Sequence, residues 1–165
     1  MQGIDNNTYI IAYFISNLFA LLMVLAAVKA PRLGRLLFFI LFAWAAAFNT
    51  YTAATKPTIY QMYAQTAISD WYRDFINGAW FGSNTTPFIA TIAAGQLLIA
   101  IGVCLKGVLY RLSLWGAAIF LLAIMPLGMG SAFPCTISMA TAAMILARNY
   151  NHQFLWKKTE GAPAA

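Results

Sequence analysis

Long apolar runs separated by short polar breaks dominate the chain, and they predict helices that cross a bilayer. Residues 8–28, 36–55, 87–105, 109–127 and 133–147 read as five spans, since about 20 apolar residues rising about 1.5 Å each cover a hydrocarbon core of about 30 Å. Lys29, Pro31, Arg32, Gly34 and Arg35 form a basic turn between the first two. Lys106, Gly107 and Arg111 follow the third, with Arg111 near enough the start of the fourth to snorkel. The stretch from Leu109 to Ala147 is too long for one crossing, and Pro126, Gly128, Gly130 and Pro134 supply a reversal inside it. The expected fold class is all-α, a polytopic membrane helix bundle of five transmembrane helices forming one domain over residues 1–165, with an outer loop at 56–86 and a tail at 148–165.

The outer loop has a pattern of its own. Ile68, Trp71, Tyr72, Phe75, Ile76 and Ala79 follow the spacing of one helical face, while Asp70, Arg73, Asp74 and Asn77 take the other. Ser69 is placed as an N-cap and Gly78 weakens the end. After Pro57, the positions Ile59, Met62, Tyr63 and Ala67 repeat at similar spacing, so two short helices are expected to form a cap. Trp71, Tyr72, Phe75, Ile76 and Trp80 are its interfacial or partner-contact candidates. The cap serves either as an aromatic anchor in the headgroup region or as a lid over a lipid or quinone pocket.

Composition agrees with the pattern: 62% of residues are hydrophobic and 8% charged, too little polar surface for a water-soluble globule of this length. The net charge of +6 raises nucleic acid as a partner. The bases flank spans instead of forming a stripe, however, which is how membrane orientation is encoded, and no nucleic-acid binding is expected. Five spans bring Lys29, Arg32, Arg35, Lys106, Arg111, Arg148, Lys157 and Lys158 to one face and leave Lys56 and Arg73 on the other. The excess assigns the tail to the cytoplasm and Met1 to the outside of a cell inner membrane. Asp5 is the only charge before Lys29, so the first span lacks the basic n-region of a cleaved signal and is expected to be retained.

Candidate chemistry is sparse. No catalytic constellation and no metal-ligand cluster is visible, and enzymatic activity is not expected. Cys104 and Cys135 fall near opposite ends of their spans, too far apart for a disulfide, and His152 lies beyond the last span. No Asp, Glu, Lys or Arg falls in the interior of a span, which argues against an ion-coupled carrier. The uncharged polar residues that remain include Asn17, Asn49, Thr50, Tyr51, Gln96, Ser113, Thr136, Ser138 and Thr141. Gln96 is the most central, among Ala93, Ala94, Gly95 and Ala100, and its amide should face protein as interhelical glue or as a contact to a quinone carbonyl or lipid headgroup. Asn49, Tyr51 and Trp44 are placed with it, lining the outer half of the same cavity.

From Arg35 to Ala147 the organisation resembles the DoxX/DoxD-like family of small bacterial and archaeal membrane proteins. The resemblance is carried by Ala46-Ala47-Phe48-Asn49 ending a core span, by the long aromatic outer loop, and by Gly95-Gln96-Leu97-Leu98-Ile99-Ala100-Ile101-Gly102. It continues through the basic turn of Lys106 and Arg111 to the closing pair joined by Pro126-Leu127-Gly128-Met129-Gly130-Ser131-Ala132-Phe133-Pro134. The family usually has four spans, so 8–28 is an added N-terminal helix, and members often carry an acidic residue where Gln96 stands here. The resemblance implies association with membrane redox chemistry, because named members are subunits of a thiosulfate:quinone oxidoreductase. Three functional classes follow, in this order: a non-catalytic subunit packed against other membrane subunits and lipids; a DoxX-like component holding quinone or bound lipid beneath the cap, with no cofactor strictly required; and a passive transporter or channel.

Overall fold

The computed structural model describes residues 6–131, 133–149 and 153–157, and its regular elements are all helical. They are α1 (Asn6–Lys29), α2 (Pro31–Thr55), a 3-10 turn (Pro57–Met62), α3 (Tyr63–Thr66), α4 (Asp70–Asn77), α5 (Ala79–Cys104), α6 (Gly107–Ile124), a second 3-10 turn (Met125–Ser131) and α7 (Cys135–Arg148). Three of them, Pro31–Thr55, Ala79–Cys104 and the stretch from Gly107, are long and apolar enough to cross a bilayer, which marks a membrane protein. The apolar stretches Tyr13–Lys29 and Cys135–Arg148 are shorter. At about 1.5 Å per residue, the 14 residues of α7 rise about 21 Å, less than a full hydrocarbon core.

The five long helices close into a ring: α1 packs on α2, α2 on α5, α5 on α6, α6 on α7, and α7 returns to α1. Inside it Met23, Phe38, Phe42, Val103, Tyr110, Leu114, Met139 and Leu146 interdigitate with Ala20, Ala27, Ala100, Ala117, Ala140 and Ala143. Alternating large and small side chains let the helices approach closely where no hydrophobic force drives helix from helix in lipid. Gly102 lies at a close approach of α5 and α6, where a β-carbon would collide with the Ser113 side chain. The outward faces carry Ile15, Leu18, Leu22, Ile40, Leu98, Leu112 and Ile119, all exposed as lipid-facing positions require.

Several boundaries differ from the expectation, each for a local reason. The basic turn is a one-residue break at Ala30: Pro31 occupies the first helical position, where its missing N–H costs nothing, so Arg32 and Arg35 already belong to α2. Pro87 lies inside α5 and does not start it; the helix begins eight residues earlier at Ala79, shortening the outer loop to 56–78. Beside that proline Asn84 donates to the Trp80 carbonyl at 2.8 Å and Thr86 to the Ala53 carbonyl of α2 at 3.1 Å, the second of which ties this part of α5 to its neighbour. The last helix starts at Cys135, not Phe133, after a cis Phe133–Pro134 peptide.

Over one end of the ring, the segment 57–77 folds as the expected pair of short helical pieces. Ser69 stands at the α4 N-cap position, although its side chain makes no cap hydrogen bond. Beneath it Ala53, Tyr60, Ala64, Ile76, Phe81 and Ile89 form a second core. The cap is fastened to the α6–α7 reversal: Ile68 N–H donates to the Pro126 carbonyl at 2.9 Å, Thr66 Oγ1 to Leu127 at 3.1 Å and Tyr72 Oη to Ala123 at 2.6 Å. Gly128, with φ of 70°, lies so close under the Thr66 carbonyl that any β-carbon would strike it.

Candidate functional site

The opposite end of the ring carries a feature that the spacing of charges does not announce. Arg35, on the second turn of α2, is 1% exposed, the largest fully buried side chain among the described residues. A charge expected in a solvated turn therefore lies inside the bundle. Its Nε and Nη2 donate to the Val103 carbonyl at 3.1 and 3.0 Å, Nη2 also reaches Leu105 at 2.6 Å, and Nη1 reaches Gln153 at 3.0 Å. Val103 and Leu105 belong to the end of α5, whose last carbonyls have no intrahelical donor and carry the negative end of the helix dipole. The planar, always-charged guanidinium satisfies several of them at once, which a lysine could not.

Around Arg35 the three basic stretches meet. Tyr110 of α6 lies beneath the guanidinium, 4.5 Å from ring centre to Cζ, and its hydroxyl donates to the Leu146 carbonyl of α7 at 2.9 Å. The segment 153–157 docks here too: Leu155 N–H donates to the Cys104 carbonyl at 3.0 Å, and Arg32 Nε to the Leu155 carbonyl at 3.0 Å. Lys106 stands 5.0 Å from the centre of the Phe154 ring, which stacks on Trp156. One buried cation thus joins α2, α5, α6 and the tail. His152 and Lys158 lie outside the described residues.

Toward the cap, Gln96 of α5 is 4% exposed, and its Oε1 accepts from Asn49 Nδ2 of α2 at 2.8 Å. Asn49 Oδ1 in turn accepts from the Tyr60 hydroxyl at 2.8 Å. A polar chain therefore runs from the middle of α5 through α2 into the cap. Tyr60 went unnoticed in the sequence, though a tyrosine just past Pro57 folds back over the last turns of α2, and a buried hydroxyl needs a partner. Burial raises the Tyr60 phenol above its ordinary value of 10.0, the neighbouring Tyr63 adds to the rise, and a hydrogen bond with Thr52 works against it. Tyr63 is raised by burial alone.

The other cavity candidates part from this pair. Trp44 and Tyr51 are 63% and 68% exposed, because at 100° per residue neither shares the helix face of Asn49; with Phe48, stacked on Trp44 at 5.3 Å, they form an outward stripe. Among the cap residues, Ile76 is buried, while Phe75 is the hub of an aromatic cluster with Trp71, Trp80, Phe81 and Phe88 at 5.5 to 5.8 Å. Trp71 and Trp80 remain exposed, and Tyr72 is held by Ala123.

Most other polar residues in the spans bond back to their own helix, as Asn17 to Tyr13, Thr50 to Ala46, Ser113 to Leu109 and Thr141 to Ile137. Cys104 and Cys135 are free thiols. Two open surface grooves among the described residues, of about 490 Å³ beside Arg32 and about 240 Å³ beside Pro87, are not lined by Gln96. No known protein family, curated protein or solved structure matches this chain.

Proposed function

We propose that this chain is a non-catalytic integral membrane subunit, a five-helix scaffold of the inner membrane with its N-terminus outside and its C-terminus cytoplasmic. The observation that carries the reading is where the bundle spends its interior polar groups. Arg35, Asn49, Gln96, Tyr60 and Tyr110 each bond a different element of the same chain, so their chemistry locks helices together instead of facing a reactant. The orientation follows from the charge excess at the Arg35 end.

Such a scaffold needs a face for its partners. Trp44, Phe48 and Tyr51, at i, i+4 and i+7 on α2, present an aromatic stripe 48% to 68% exposed, the residue type that anchors protein interfaces. A photo-cross-linking residue at Trp44 or Phe48 in the native membrane is expected to give a discrete heavier product with another membrane protein, and one at Ile119, a lipid-facing position on α6, none. Products with lipid alone at both places would contradict the subunit reading.

The second reading is a DoxX-like redox-associated component with quinone or lipid beneath the cap. It draws on the Asn49–Gln96 pair lying directly under Tyr60. Solvent extraction of the gently purified protein tests it: quinone present in wild type and lost in Gln96→Leu, with unchanged thermal stability, would favour this reading over the scaffold.

A further inference from the structure

Charge at the Arg35 end is unbalanced. Among the described residues that end carries Lys29, Arg32, Arg35, Lys106, Arg111, Arg148 and Lys157, while Asp70 and Asp74 lie in the cap at the other end. The single ion pair among the described residues, Arg73 with Asp70, is also in the cap. Buried Arg35 is satisfied by carbonyls, but Arg32 is exposed and, among the described residues, bonds only through its Nε, to Leu155. Its two terminal amino groups make no hydrogen bond among the described residues.

Beside Arg32 lies the larger groove, about 490 Å³, lined by Ala30, Leu33, Leu36 and Leu155. Its walls are almost wholly apolar, and Leu33 and Leu36 continue down the outward face of α2, one helical turn apart. A cation at the mouth of an apolar furrow that runs along a membrane helix matches one ligand geometry: a phosphate at the rim with a hydrocarbon chain below. Basic pockets at the ends of membrane helices bind anionic headgroups for this reason.

We infer that the basic end holds one anionic phospholipid, its phosphate on the Arg32 guanidinium and an acyl chain along Leu33, Leu36 and Leu155. The inference rests on the chain's spanning a bilayer, and does not depend on which side the basic end faces. Because Arg32 also holds the Leu155 carbonyl, the bound lipid and the docked segment 153–157 stabilise the same corner.

The test uses the full chain in a neutral detergent, stripped of lipid and supplied with phosphatidylglycerol or phosphatidylcholine at physiological salt, read by native mass spectrometry and thermal melting. One phosphatidylglycerol per chain should persist where phosphatidylcholine is lost, and it alone should raise the melting temperature. Arg32→Gln should weaken retention about fivefold, the effect of removing one cation near a headgroup. Leu36→Trp, which fills the groove and leaves every charge in place, should weaken it as well and serves if the arginine variant does not fold. Arg111→Gln on α6, which removes the same charge away from the groove, should change little. Equal retention of both lipids, equal losses in the Arg32 and Arg111 variants, matching stabilisation by inorganic phosphate, or a lipid-free dimer that Leu36→Trp dissociates would each overturn the inference. Sidedness of labelling in sealed vesicles reads the topology separately, so the two can fail independently.

Discussion

The guanidinium carbon of Arg35 stands 4.5 Å from the centre of the Tyr110 ring. The pair is the meeting point of the bundle: Arg35 reaches from α2 to the carbonyls ending α5 and to Gln153, and Tyr110 passes the link from α6 to Leu146 of α7. Arg35→Leu keeps most of the volume but leaves those carbonyls without donors. It should lower stability by about 2 to 4 kcal/mol, since a buried carbonyl left without its donor costs about 1 to 3 kcal/mol, read by unfolding in mixed micelles. Arg35→Lys should recover only part of the loss, because a point charge cannot serve three carbonyls in the fixed fork of a guanidinium. Tyr110→Phe, which keeps the ring and removes the hydroxyl bond, should cost about 1 kcal/mol.

Gln96 and Asn49 should behave as a coupled pair. Gln96→Leu is expected to cost about 1 to 2 kcal/mol, and a double-mutant cycle with Asn49→Leu should return a coupling near 1 kcal/mol. Additive losses in the cycle would show that the 2.8 Å bond contributes nothing.

The cap should loosen when its seat is filled. Gly128→Ala sets a β-carbon against the Thr66 carbonyl at a backbone angle disfavoured for alanine. Hydrogen exchange over residues 57–77 should then rise by at least about tenfold, a shift of about 1.4 kcal/mol in local opening, while the core of α5 stays protected. Uniform deprotection of cap and core would show instead that the two unfold together.

Tyr60 and Tyr63 make the cap sensitive to alkali. Both phenols are raised above 10.0 in the fold, so the unfolded chain releases its protons first and stability falls as pH climbs past that ordinary value, being fully present below it. Tyr60→Phe with Tyr63→Phe should lessen the fall in melting temperature as pH rises past 10.0. An unchanged alkaline decline in the double variant would place its origin elsewhere.

How far the sequence foretold this arrangement depends on range. Helical runs, the paired cap pieces and the central position of Gln96 follow from local periodicity and from the cost of an amide facing lipid, so they were legible in short windows. Arg35 was not. Its partners lie 68, 70 and 118 residues away, and in a window it reads as one more base beside Arg32. Pro87 reads as a boundary in the sequence, whereas α5 runs through it from Ala79. Trp44 and Tyr51 read as lining one cavity with Asn49, whereas helical phase turns them outward.

The five-helix topology is tested most directly by the sidedness of single cysteines placed in a chain with Cys104 and Cys135 replaced. Asp74 in the cap and Lys157 in the docked tail are separated by α5, α6 and α7, of which only α7 is too short to be a span by length alone. In sealed, right-side-out vesicles, a membrane-impermeant thiol reagent should label Asp74→Cys at once and Lys157→Cys only after the membrane is opened. Labelling of both from the same side would mean that α7 does not cross, and the account of an inward-facing basic end would fall with it.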